Sequence, residues 1–211
     1  MARIAFFSIY AFGHTNPTLA VVGELTRRGH RVRYYSFTPF QKAIKAAGGE
    51  FVRCDAYLPP PPPDVDRQVG RDFAGLVEMI TDTTLAMDGP IGRDLREFAL
   101  HCVVSDSLCF WGKLWSAKLG LPYVCSTTTF AFNRETAGMM KQTPGLRLRR
   151  ASPEAIRAAV RQVREQRSYR SRAREIAAGF RDAGGYRRGA DKILEAAARG
   201  GGACAENPPM L

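Results

Sequence analysis

Residues 3–36 read RIAFFSIYAFGHTNPTLAVVGELTRRGHRVRYYS, and the hydrophobic period changes twice within them. Arg3–Ser8 is a continuous apolar run of strand length, closed by a loop containing Gly13, His14, Asn16 and Pro17. From Thr18 onward, Leu19, Val22 and Leu25 recur at helical spacing until Gly29 stops them. Arg31–Ser36, rich in valine and tyrosine, is a second strand. A strand without alternation, a helix and a further strand form the repeating unit of a parallel sheet covered on both faces.

The same alternation extends outward from this stretch. Thr38-Pro39 opens a helix with a capping hydroxyl and a proline in the first turn, Gly48-Gly49 closes it, and Glu50–Cys54 is a third strand. Five prolines, Pro59–Pro63, then exclude helix and interior strand. A stiff extended spacer is the reading there, with docking into a partner's aromatic groove as the alternative. Residues 65–87 and 90–100 read as helices, Cys102–Ser105 as a fourth strand, 107–119 as a helix ending at Gly120, and Tyr123–Ser126 as a fifth strand. The expected fold class is α/β, a doubly wound, mostly parallel sheet.

Past Thr143-Pro144-Gly145 the texture becomes helical. Ser152-Pro153-Glu154 is a helix start, followed by Ile156, Val160 and Val163 at helical spacing. Ser168 is a candidate cap for the next helix, which carries Tyr169, Ala173, Ile176 and Phe180 and stops at Gly184-Gly185. A third helix spans about 186–199 with Ile193 and Leu194. The expected organisation is a body over 1–140, a junction at 141–150, a helical tail over 151–199 and disorder over 200–211.

Composition sets the outer bounds. The 211 residues are 45% hydrophobic and 24% charged, which excludes a collagen-like repeat, a disulfide-stapled miniprotein and a chain disordered throughout. No apolar run approaches the roughly 20 residues of a membrane-spanning helix, and the apolar start is too short for a secretory signal, so a cytoplasmic protein is expected. Five cysteines without a CxxC pair and three scattered histidines lack metal-ligand spacing; Cys102 and Cys125 read as small buried hydrophobes. Of the net charge of +11, residues 1–140 supply +2 and residues 141–211 supply +9. A basic tail suits nucleic acid or an anionic surface. No nucleic-acid motif accompanies it, so a solvated helix face is the plainer reading.

Ligands of a doubly wound sheet gather beyond the carboxyl ends of its strands. His14 follows strand one and Asp106 follows strand four, so both belong to that edge. A histidine donating from one ring nitrogen to a carboxylate has a fixed tautomer and a free base at the other. Each residue also has a structural reading: a loop-packing histidine, and a helix N-cap before Ser107. His30, at the opposite edge, reads as structural. No GxGxxG follows strand one, and no phosphate-binding GxxxxGK[ST] or nucleophile elbow occurs. Phe12, Phe110, Trp111 and Phe130 sit in or beside the strand-end loops and are candidates to line a site for an apolar ligand.

Several ordered motifs resemble a known family. Phe6-Phe7-Ser8 through Gly13-His14-Thr15-Asn16-Pro17-Thr18-Leu19, Leu25-Thr-Arg-Arg-Gly-His-Arg-Val-Arg33, Val103-Val-Ser-Asp-Ser-Leu-Cys-Phe-Trp-Gly112, Leu119-Gly-Leu-Pro122 and Cys125-Ser-Thr-Thr-Thr-Phe-Ala-Phe-Asn133 look like bacterial macrolide-type UDP-glycosyltransferases of the GT-B fold. Ala151–Val160 and Tyr169–Asp191 resemble the last helices of that family's second domain. The resemblance implies that His14 is the base that deprotonates the acceptor hydroxyl and that Asp106 orients it. It implies a UDP-sugar donor, a small hydrophobic acceptor, and no cofactor or metal. The family's His/Gly-rich diphosphate loop and sugar-holding Asp/Gln pair have no counterpart in the sequence. Weak or absent turnover by the isolated chain is therefore expected. The alternative is a non-catalytic ligand-binding protein, or a partner of a complete glycosyltransferase or of itself through 151–199. The resemblance also implies that the final helix crosses back onto the first domain, with Tyr186, Ile193 and Leu194 as its apolar contacts. The helices over 152–180 are expected to pack as a loosely docked hairpin.

Overall fold

Ile4, Ala5, Phe6 and Phe7 are all at most 2% exposed, and so are Cys102, Val103, Val104, Ser105 and Asp106. Strands buried on both faces belong at the centre of a sheet. The computed structural model describes residues 1–57, 73–128 and 152–200 and places them there. Strands β1 (Arg3–Phe7), β2 (Arg31–Ser36), β3 (Glu50–Arg53), β4 (Cys102–Asp106) and β5 (Tyr123–Ser126) form one sheet in the order β3-β2-β1-β4-β5. Every neighbouring pair is parallel, with Phe7 beside Tyr35 on one side and Ser105 on the other. The proline run Pro59–Pro63, Phe130, the 141–150 junction and residues 201–211 lie outside the described residues.

Alternation within β2 assigns the helices to faces. Tyr34 hydrogen-bonds Thr18 of α1 (Phe12–Arg27) across 2.8 Å, whereas the Tyr35 hydroxyl donates to Asp94 of α3 (Phe73–Glu97) at 2.6 Å. Successive strand residues point to opposite sides, so α1 and α3 cover opposite faces. Phe6 stacks near Tyr34 and Phe7 against Tyr35, with ring centroids 5.6 and 4.5 Å apart. Helix α2 (Gln41–Ala46) packs with β3, and α4 (Phe110–Lys118) with α3, β4 and β1. Gly112 is what lets α4 lie so close, because a Cβ there would fall 2.4 Å from Ser105 Oγ.

Several element boundaries differ from the sequence reading, among them the start of α4, at Phe110 rather than 107. Helix α1 starts at Phe12, not Thr18, and runs through Pro17. Its entry is closed by the Ala11 carbonyl, which accepts from both His14 N and Thr15 N at 3.1 Å, and by a 3.1 Å bond between the hydroxyls of Ser8 and Thr15. These local bonds fix the first turn, and the helix continues through Pro17 despite its missing N–H. Helix α3 is likewise continuous across Pro90, since Ile80, Met87, Ile91 and Leu95 bury one stripe that spans the proline. Thr38 does not cap through its hydroxyl; it lies inside a short 3-10 turn (Thr38–Phe40), and its N–H donates to Asp55 Oδ2 at 3.3 Å.

The chain forms two compact units: Met1–Thr128 with the segment from Tyr186 onward, and Thr129–Gly185. In the first, α7 (Gly185–Gly200) packs with the sheet body, burying Ala190, Ile193, Ala196, Ala197 and Gly200. Arg28, just past the end of α1, bonds Asp191, and the neighbouring Glu24, itself bonded to Arg27 and Arg28, has its pKa held down to about 2. Tyr186, an expected contact, is instead 45% exposed, and Leu194 is only partly buried. Small residues let α7 approach the body closely: a Cβ on Gly200 would meet the Pro122 ring at 2.5 Å. In the second unit, α5 (Pro153–Glu165) and α6 (Arg167–Asp182) pack as a pair without a buried residue. Ser152 caps α5 as expected, accepting from Ala155 N at 3.2 Å; Gln166, not Ser168, occupies the N-cap of α6.

Candidate functional site

The chain passes from β1 outward to β2 and β3, then crosses back to β4, so direction reverses between β1 and β4. Such a switch point leaves a crevice at the carboxyl ends of the two strands. His14 arrives there on the first turn of α1, after β1 has ended at Phe7, and Asp106 is the last residue of β4.

The two side chains meet. His14 Nδ1 lies 2.8 Å from Asp106 Oδ2, with the imidazole 19% exposed and the carboxylate 1% exposed. Asp106 is held from both ends, because its Oδ1 accepts from Leu108 N at 2.9 Å. That turn, rather than an N-cap of the following helix, is its structural duty; Cys109 occupies the N-cap of α4. A carboxylate oxygen accepts, so Nδ1 carries a proton, and in the neutral imidazole Nε2 keeps its lone pair. No described residue bonds Nε2. Thr128 Oγ1 also approaches Nδ1, at 3.0 Å. Sequence reasoning missed this residue, although its position just past β5 places it on the same edge.

The expected apolar lining divides. Phe12 is 59% exposed and packs edge-on against Phe40 at 4.8 Å. Phe110, on the first turn of α4, is 44% exposed. Trp111 is only 2% exposed: it faces the core and offers no surface at this edge, a correction that follows from its place one residue further round the helix. Tyr10, partly buried, was not anticipated; its ring packs edge-on against Phe40, the buried residue on which Phe12 also rests. The signal for Tyr10 is the one that marked Phe12, a position just past the end of a strand.

The other two histidines are structural. His30 Nδ1 accepts from Ala2 N, and His101 Nδ1 from Arg3 N, each at 3.0 Å, pinning the start of β1. Burial holds the His30 pKa below its ordinary value. Burial pushes the Cys102 thiol up to about 12 and the Cys109 thiol well above its usual range. Cys54 and Cys109 are buried, whereas Cys125, expected inside, is exposed on the edge strand β5. Among the described residues no cluster of three metal-ligating side chains occurs, and no helix is long and apolar enough to cross a membrane.

Comparison with solved structures finds the same architecture. The chain is similar to the glycosyltransferase of kitacinnamycin (TM-score 0.51, 19% identity, covering 88% of this chain and 41% of that one). It is also similar to CalG4, the calicheamicin glycosyltransferase (TM-score 0.51, 25% identity, covering 77% and 42%). The fold is thus a Rossmann-like half of the GT-B architecture, followed by a helical region. Among curated proteins, the chain is 46% identical over 126 residues to the oleandomycin glycosyltransferase of Streptomyces antibioticus, covering 58% of this chain and 28% of that protein. It is 32% identical over 145 residues to the demethyllactenocin mycarosyltransferase of Streptomyces fradiae, covering 65% and 32%. An NDP-glycosyltransferase of Bacillus subtilis is 28% identical over 131 residues, covering 62% and 33%. The chain is thus similar to bacterial macrolide and NDP glycosyltransferases, and spans about a third of the length of the curated relatives it matches. No protein-family profile matches it.

Proposed function

We propose that this chain carries the acceptor half of a glycosyltransferase that moves a sugar from a UDP-sugar to a hydroxyl of a small hydrophobic natural product. The observation that carries the reading is the 2.8 Å contact between His14 Nδ1 and the buried Asp106 carboxylate at the switch point. An acceptor hydroxyl within reach of His14 Nε2 would give up its proton as its oxygen attacks the anomeric carbon, and the nucleotide would leave from the opposite face. The imidazolium formed would be stabilised by Asp106. Phe12 and Phe110 would cover the apolar part of the acceptor.

The sequence has no counterpart of the diphosphate loop or the sugar-holding pair. Those parts supply positioning and leaving-group stabilisation, which account for much of the rate in such reactions. The isolated chain is therefore expected to bind acceptors and turn over negligibly. Thermal shift against a panel of apolar hydroxyl compounds tests binding, and UDP release from UDP-sugars tests turnover. Stabilisation by an acceptor that His14→Ala weakens would support the reading. UDP release abolished by His14→Ala would overturn the expected inactivity, and a panel without any stabilising compound would overturn the acceptor site.

A further inference from the structure

Helices α5 and α6 carry an arrangement that the His14 site does not use. Ile156, Val160 and Val163 follow one another at i, i+4 and i+7 on α5, and Tyr169, Ile176 and Phe180 at i, i+7 and i+11 on α6. All six are between 41% and 67% exposed. Gln166 alone separates the helices, with φ −79° and ψ 114°, so the two amphipathic faces are joined by a single extended residue. A cleft of about 790 Å³ opens between them; its lining includes Val160, Val163 and Tyr169, the arginines Arg161, Arg164 and Arg170, and a single carboxylate, Glu165.

The charge is one-sided. Residues 153–182 hold eight arginines, no lysine and four acidic residues. Among the described residues only Arg157 and Arg172 of these eight have an ion-pair partner, Glu154 and Glu175. A strongly amphipathic, arginine-rich helix pair without buried residues has the make-up of a segment that lies in a lipid headgroup layer. A second copy on this face would set arginine rows against arginine rows, and a neutral apolar ligand would leave the guanidinium groups unpaired. Anionic headgroups meet both demands: phosphate oxygens accept from the guanidinium forks, while Ile176 and Phe180 enter the acyl boundary.

We propose that the α5–α6 hairpin docks on an anionic lipid surface. This does not rest on the glycosyltransferase reading. The test is co-sedimentation of the full chain with vesicles of phosphatidylcholine alone or of phosphatidylcholine with phosphatidylserine, at physiological salt. Binding is expected only with phosphatidylserine. Joint replacement Arg161→Gln, Arg164→Gln and Arg170→Gln should weaken it about a hundredfold, at roughly fivefold per charge. Ile176→Ser with Phe180→Ser should weaken it at least about tenfold. These positions are exposed, so each variant should melt like the parent chain, which serves as the folding control. Binding that ignores phosphatidylserine, or that survives the apolar replacements undiminished, overturns the proposal. So does a dimer of the chain that Phe180→Ser dissociates, or preference for a soluble acidic amphipathic peptide over the vesicles.

Discussion

His14 and Asp106 are separated by 92 positions in sequence and 2.8 Å in space. Asp106→Asn replaces one carboxylate oxygen by an N–H donor and leaves the other as a neutral carbonyl that Leu108 N also needs, so the Nδ1–H tautomer of His14 loses its main support. Nitrogen-15 spectra of the imidazole should show a larger Nε2–H population in that variant. His30 makes a second prediction at this scale. Its folded pKa is depressed, so its contribution to stability is present above the ordinary histidine pKa of about 6.5 and is lost as pH falls toward the folded value. The melting temperature should therefore drop on acidification from neutral pH, and His30→Asn, which keeps an acceptor for Ala2 N but does not titrate, should flatten that drop. Residue types at strand ends are legible in the sequence. Which of them turn outward is not, because Trp111 and Phe110 are adjacent and only the packing of α4 decides that one is buried and the other exposed.

At the scale of elements, two close approaches carry testable energies. Gly112 allows α4 to rest on β4 and β1, and a methyl group there would lie 2.4 Å from Ser105 Oγ and 3.0 Å from Phe7 Cβ. Gly112→Ala should destabilise the fold by about 1–3 kcal/mol, measured by urea denaturation. Ile193 of α7 is 4% exposed against the body, and Ile193→Ala should cost about 2–5 kcal/mol. The same substitution should raise amide exchange along α7 before it does so in β1. All five strands are legible from short stretches of four to six residues rich in apolar, β-branched or aromatic side chains. The prolines mislead, since Pro17 and Pro90 read as boundaries and both lie inside helices. Local propensity disfavours them, yet the buried stripe of α3 and the capped entry of α1 override it.

At the scale of the whole molecule, the described residues divide into a sheet body that includes α7 and a helical pair with no buried residue. Stability should follow burial. Amide exchange is expected to be slow in β1 and β4 and fast in α5 and α6; protection of residues 153–182 equal to that of β1 would contradict this. Composition locates the basic excess beyond residue 140, but it does not tell α7 from the helices before it, because all three are amphipathic and basic.

The sequence by itself determined the alternation of strand and helix, the parallel sheet, and the two residues most suited to acid–base work. Each of these is local: it depends on the period of apolar residues or on what stands just past a strand. Only the tertiary structure decided that β1 and β4 are neighbours, that His14 reaches Asp106 through Nδ1 with Thr128 alongside, and that α7 belongs to the unit of the sheet body while α5 and α6 belong to the other. Those facts depend on which buried faces find each other across long stretches of chain, and no local period encodes that choice.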